Sequence, residues 1–397
     1  MKGFSKTASQ VSESVTLSIT ALVKKLISEG KDVLSYSAGE PDFPTPQYIK
    51  DAAYKAIQEN FTRYTPNKGI PDLLEAIIHK FKTDNGLDYT AANLLVSNGA
   101  KQSIFNLVMA ACNPGDEIVF QAPYWLSYPE MAKIAGAVPV AIPSDARNDF
   151  KITAAEIEKA ITPKTKLIIL NSPSNPTGAV YTEDEVREIA EVLRDKELYI
   201  ISDEIYEKIL FDGYKHFSIA QIDGFKDKTV IVNGVSKAYS MTGWRIGYAA
   251  GPKDLITVAG NVQSHATSSS CSISQKAAAT ALSGPQDEVE MMRAAFEQRR
   301  NYLIRELQSI DGVICPMPRG AFYAYFDVSH YYNKSAQGFN VTDSVSMCEY
   351  LIEKCGVALV PGAAFGDDHT VRMSFACSMD SLTEGVKRIR KGLSELN

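Results

Sequence analysis

Lys166-Leu-Ile-Ile-Leu170, Leu198-Tyr-Ile-Ile-Ser202 and Thr229-Val-Ile-Val232 are short, almost wholly apolar runs, and each ends in a polar cluster: Asn171-Ser-Pro-Ser-Asn175-Pro-Thr-Gly178, Asp203-Glu-Ile-Tyr206 and Asn233-Gly-Val-Ser236-Lys237. Apolar runs of this length read as strands buried on both faces. Residues 117–121 (EIVFQ) and 246–250 (IGYAA) read the same way. Between them lie helical patterns such as residues 182–194 (TEDEVREIAEVLR), where Thr182 and Glu185 have the spacing of a capping box. Strand, helix, strand repetition predicts an α/β fold with a mostly parallel central sheet.

Outward from this centre the pattern changes. Residues 285–307 form a long charged helical pattern, followed by strand-like 321–326 and 371–375 and helical 381–396. These predict a smaller α+β lobe. The helical pattern before Gly39 has no sheet of its own to cover and is expected to pack with that lobe. The expected division is residues 1–46 with 300–397 as a small domain, and 47–299 as a large one. A chain of 397 residues is in any case longer than one hydrophobic core usually serves.

Composition excludes several classes of function. With 45% hydrophobic and 22% charged residues the chain is an ordinary folding sequence. Its 41 basic and 47 acidic residues, net charge −6, argue against a nucleic-acid or anionic-membrane surface. No stretch approaches the roughly 20 apolar residues of a membrane span. The apolar residues 15–23 carry Lys24 and Lys25 behind them, the reverse of a secretory signal. A cytoplasmic location is expected. Six cysteines without a C-x-x-C pair, and five histidines without H-E-x-x-H spacing, indicate neither a disulfide framework nor a metal site.

Ligands of an open parallel sheet bind beyond the carboxyl ends of its strands, so the three polar clusters should converge on one crevice. Singly each has an ordinary explanation: N-P-T-G as a turn, D-E as a helix start, a lysine as a solvated charge. Together they place a lysine opposite a carboxylate and hydrogen-bonding side chains, the setting in which an amine is desolvated into a Schiff-base nucleophile. Ser236 and Arg245 add a hydroxyl and a guanidinium suited to phosphate. Residues 97–102 (SNGAKQ) open a helical stretch whose N–H groups would point at an anion. No P-loop or dinucleotide-binding glycine motif is present.

Asn175-Pro-Thr-Gly178, Asp203 to Tyr206, and Ser236-Lys237 through Arg245-Ile-Gly247 resemble, in order and spacing, the class I pyridoxal-phosphate aminotransferases. Ser37-Ala-Gly39-Glu-Pro-Asp-Phe43, Tyr124-Trp125 and Pro361-Gly-Ala-Ala-Phe365 through Arg372-Met-Ser match too, so the likeness spans nearly the whole chain and is greatest to the bacterial aspartate aminotransferase branch. The resemblance implies a fold-type I homodimer with shared active sites and pyridoxal 5'-phosphate as cofactor. By matching residues, Lys237 would hold the cofactor, Asp203 would pair with its ring N–H, Tyr206 and Asn175 would bond its phenolic oxygen and Trp125 would stack on its ring. Gly99, Ala100, Lys101 (through its backbone N–H), Ser236 and Arg245 would hold the phosphate, with Tyr64 from the second subunit. Arg372 would grip the substrate α-carboxylate, with backbone from Gly39. The Lys101 side chain, with Ser14 and Thr16, would meet a distal carboxylate.

The implied reaction is ping-pong transfer of an amino group from aspartate to 2-oxoglutarate. Aromatic amino acids or prephenate are the alternatives on the same scaffold. Related enzymes perform β-elimination, ring formation and racemisation, so fold alone does not choose. A non-catalytic regulatory module would carry a fused DNA-binding segment or lack the lysine, whereas Lys237 is present.

Overall fold

The computed structural model describes residues 3–397. Its seven-stranded sheet comprises β1 (Leu94–Ser97), β2 (Glu117–Ala122), β3 (Val138–Pro143), β4 (Thr165–Asn171), β5 (Tyr199–Asp203), β6 (Thr229–Gly234) and β7 (Gly247–Ala250). The strand order is β1-β7-β6-β5-β4-β2-β3. Only β7 runs antiparallel to its neighbours, and the remaining pairs are parallel. Every residue of β1, β6 and β7 is buried, which is why β6 and β7 read as apolar runs, although Leu94–Ser97 was not expected as a strand. The exception is β3, Val-Pro-Val-Ala-Ile-Pro, which sits at an edge where missing N–H donors are tolerated.

The helices that bear on function are α1 (Val15–Ser28), α2 (Ala100–Ala111), α3 (Ser127–Ala135), α4 (Glu183–Leu193), α5 (Asp287–Gln308) and α6 (Met379–Ser394). The capping box of α4 is formed: the Thr182 N–H donates to the Glu185 carboxylate at 2.8 Å, and the Glu185 N–H returns to the Thr182 hydroxyl at 3.3 Å. Its buried stripe, Val186, Ile189, Ala190 and Leu193, covers one face of the sheet.

A second sheet, order β9-β10-β8, is antiparallel and formed by β8 (Tyr323–Asp327), β9 (Val360–Pro361) and β10 (Thr370–Ser374). Its core joins Phe296, Leu303 and Leu307 of α5 to Phe326, Met373, Leu382 and Ile389. The N-terminal helix packs here, as the lack of a sheet beneath it predicts: Val23 is buried with Ile352 and Ala358, and Ile19 lies against Tyr325 and Val360. Leu34–Ser35 adds a short parallel pairing to Val357–Ala358.

Candidate active site

The parallel strands β4, β5 and β6 end together at a cavity of about 260 Å³ whose lining reaches from the sheet to the N-terminal segment and to β10. Asn171 and Asp203 are the last residues of β4 and β5, and Ser236 and Lys237 follow β6. All four line the cavity. The three clusters do converge.

The Lys237 amine donates to the Gly39 carbonyl at 2.5 Å. Burial, reinforced by the positive charge of Arg372 and then Arg245, brings its pKa down to about 8, against the opposing pull of Glu40 and Asp203. An amine so poised is partly unprotonated near neutral pH, as a nucleophile requires. Asp203 is 5% exposed. Burial pushes its carboxyl up to about 6, although the Tyr128 hydroxyl donates to Oδ2 at 2.6 Å and the Ile205 N–H to Oδ1 at 3.4 Å. A cation facing it would offset that desolvation.

At one end of the cavity the chain forms an anion cradle. Gly99, with φ of 87°, is the N-cap of α2, and Ala100 begins the helix. A Cβ at Gly99 would collide with the Arg245 guanidinium, and one at Gly247 with the backbone nitrogen of Ala100. The guanidinium is itself fixed by the carbonyls of Thr242 at 2.9 Å and Asn98 at 3.3 Å. Helix N–H groups, a fixed arginine and the Ser236 hydroxyl make a donor set for a phosphate.

Arg372, in β10 and 2% exposed, gives Nη1 to Asn175 Oδ1 and Nη2 to the Ser37 carbonyl, both at 2.8 Å. Its Nε is buried without a partner among the described residues. The guanidinium lies over the rings of Tyr323 at 4.5 Å and Phe365 at 4.9 Å. Asn175 thus faces the arginine here, and the Tyr206 and Tyr323 hydroxyls share a hydrogen bond of 2.8 Å. Trp125 lines the cavity, with the Lys101 ammonium 5.0 Å from its ring centre. Ser14, Thr16 and Leu17 of the N-terminal segment close another side, the Thr16 hydroxyl buried without a partner among the described residues.

One residue of the expected set lies apart. Tyr64 is 98% exposed and borders a separate hollow with Thr62, Arg63 and residues 269–273. Conversely, sequence reading passed over Tyr128 and Tyr323, and it assigned no individual role to Asn171 or Thr242. Tyr128 stands three residues after Trp125 at the start of α3, a spacing that brings both to one side, and their rings meet edge-on at 5.3 Å.

This is the aspartate aminotransferase-like fold. Residues 31–389 match the family described as aminotransferase class I and II, and the chain belongs to that family. It is 48% identical to an aspartate aminotransferase of Geobacillus stearothermophilus, over 97% of this chain and 98% of the relative. It is 47% identical to an aspartate/prephenate aminotransferase of Cereibacter sphaeroides, over 98% of each. The solved aspartate aminotransferase from Rhizobium meliloti superimposes with a TM-score of 0.96 at 42% identity, over 100% of both chains. That of Thermus thermophilus with maleate gives 0.93 at 39%, over 99% of this chain and 100% of the other.

Proposed function

We propose that this chain transfers the amino group of aspartate to 2-oxoglutarate with pyridoxal 5'-phosphate held by Lys237. The observation that carries the reading is one cavity holding a buried lysine beside a buried carboxylate, an anion cradle, and two further cations, Arg372 and Lys101. The donor set fits the cofactor: Gly99, Ala100, Ser236 and Arg245 for its phosphate, Asp203 for its ring nitrogen, Tyr206 and Asn175 for its phenolic oxygen, and Trp125 for its face. When bound, that cofactor supplies an electron-accepting ring for the electron pair left as a substrate Cα loses its proton. Lys237 Nζ takes and returns that proton as general base and acid. Arg372 holds the α-carboxylate and orients Cα toward Lys237.

Two cations in one cavity suit a dicarboxylic amino acid. Partial burial, then the nearby Arg245, lowers the Lys101 pKa, a cost that a substrate carboxylate would offset. Ser14 and Thr16 add hydroxyl donors. The apolar Leu17 and Ile104 on the same lining favour a second reading, an aromatic or prephenate-like partner accepted beside aspartate. A relative named for both aspartate and prephenate supports it. Residues 1–46 with 300–397 act in this reading as a small domain over the large one, 47–299. The active unit is a homodimer in which Tyr64 completes the second copy's site. We read the enzyme as cytoplasmic; among the described residues no helix is long and apolar enough to cross a membrane.

The test is a half-reaction screen following cofactor absorbance with single amino acids. Aspartate and glutamate should react fastest, and Lys101→Ser should cost about 1.5 to 3 kcal/mol of transition-state stabilisation for aspartate and much less for phenylalanine. Equal losses for both substrates would remove Lys101 from acid recognition. No cofactor on Lys237 after borohydride reduction would defeat the reading itself.

A further inference from the structure

The segment from Ser37 to Thr45 meets three groups of the site. Its Ser37 carbonyl accepts from Arg372 at 2.8 Å, and its Gly39 carbonyl accepts from Lys237 at 2.5 Å. Glu40 accepts from the hydroxyl of Thr242 at 2.8 Å, and the Thr242 carbonyl in turn fixes Arg245 at 2.9 Å. One stretch of irregular backbone therefore sets the groups that meet the α-carboxylate, the reacting amine and the anion cradle. Such a stretch has no ladder to hold it, so its position depends on side-chain anchors.

The anchor on the far side is Asp42 with Arg299 of α5. The two bond as a parallel fork, Nη1 to Oδ1 at 2.6 Å and Nη2 to Oδ2 at 3.0 Å. The Arg299 side chain is 12% exposed, its guanidinium 4.8 Å from the Phe43 ring centre and 5.6 Å from that of Phe296, and the two rings meet edge-on at 5.6 Å. A fork stacked on two aromatic rings fixes orientation as well as distance, unlike most exposed ion pairs. On the near side Thr45 donates to the Ser240 carbonyl at 2.7 Å and accepts from the Trp244 indole at 3.0 Å.

We infer that Asp42 and Arg299 are a positioning pair: clamped between α5 and the loop that follows Lys237, they hold the Gly39 and Ser37 carbonyls against Lys237 and Arg372. Neither residue touches the cavity, so they act through the segment. The inference rests on the assignment of Lys237 as the cofactor-bearing lysine. The charged groups facing that amine are Arg372, Arg245, Asp203 and Glu40, and all remain in a variant of the clamp.

The test uses the holoenzyme as wild type, Asp42→Asn and Arg299→Lys, the latter keeping the charge and losing the fork. The readout is the pH midpoint of the absorbance of cofactor bound at Lys237, with KM and kcat for aspartate and phenylalanine. Loosening the Ser37 carbonyl frees Arg372 and, through its Nη1, Asn175, the residue assigned to the cofactor's phenolic oxygen, so the midpoint should move by about half to one unit. kcat/KM should fall about tenfold alike for both substrates, because the α-carboxylate is common to them. Arg305→Met on the same helix, at a residue that meets Glu306 and the Tyr302 ring, should leave the midpoint in place. Folded variants with the wild-type midpoint overturn the inference, and so does failure of both variants to fold, which would make the pair a stability element only. Wild type lacking cofactor on Lys237 defeats the underlying reading, and the inference with it.

Discussion

Asp203 carries the most demanding electrostatics in the site. Its carboxyl is buried, its neighbour Glu204 is another buried carboxylate, and its short hydrogen bond comes from Tyr128. Burial and the Asp203 charge push the Tyr128 phenol well above its ordinary pKa, so it stays a donor at any working pH. The Asp203 pKa of about 6 is raised, so on going down in pH through that value the free protein loses the anion that a protonated ring nitrogen needs. Cofactor affinity should therefore weaken below about pH 6. Tyr128→Phe removes a donor that favours the anion, so the midpoint of this weakening should move up by about one unit. Equilibrium cofactor titration across pH checks it; an unmoved midpoint would show that the Tyr128 bond leaves the Asp203 charge unaffected. Asp203 was legible as the polar residue ending an apolar run. Tyr128 was not, because an aromatic at helical spacing reads as core until a carboxylate is found behind it.

At the scale of elements, the N-terminal segment is held lightly. Apart from the local bonds that close α1 onto residues 29–31, a single hydrogen bond among the described residues ties residues 3–28 to the rest of the molecule, from the Ser12 N–H to Glu130 Oε2 at 2.8 Å on α3. Apolar packing of α1 against Tyr325 and Val360 of the second sheet and against Ile352 and Ala358 beside it adds to this bond. Because Ser14, Thr16 and Leu17 line the cavity just beyond Ser12, Glu130→Ala should raise KM for aspartate about three- to tenfold. Glu130→Gln keeps an acceptor and should stay near wild type. Steady-state kinetics on the two variants decide between a latch and a surface charge. The docking of α1 was legible because an amphipathic helix with no sheet nearby must find one. Strands β4 to β6 were legible for the same kind of reason, as apolar runs closed by polar residues. By contrast β1 has only four residues, and two prolines hide the strand character of β3, which its edge position makes harmless.

At the scale of the whole molecule, the single chain leaves a large aromatic ring without cover. Tyr64 is 98% exposed, and earlier in the same stretch of chain Tyr54 is 63% and Ile57 50% exposed. The cradle at α2 has its arginine and helix N–H groups within one chain, while Tyr64 stands outside that chain's cavity. In the proposed homodimer each Tyr64 would serve the other copy's cradle, and symmetry would make that exchange mutual. This leads to a complementation experiment. Tyr64→Ala and Lys237→Ala should each have little activity alone. If sites are shared, a hybrid dimer holds one site with both lesions and one with none. Random reassortment makes half the dimers hybrid, so a mixture unfolded and refolded together should recover about one quarter of wild-type activity. Sites built from one chain would each keep their own lesion, and the mixture would show only the average of its parents.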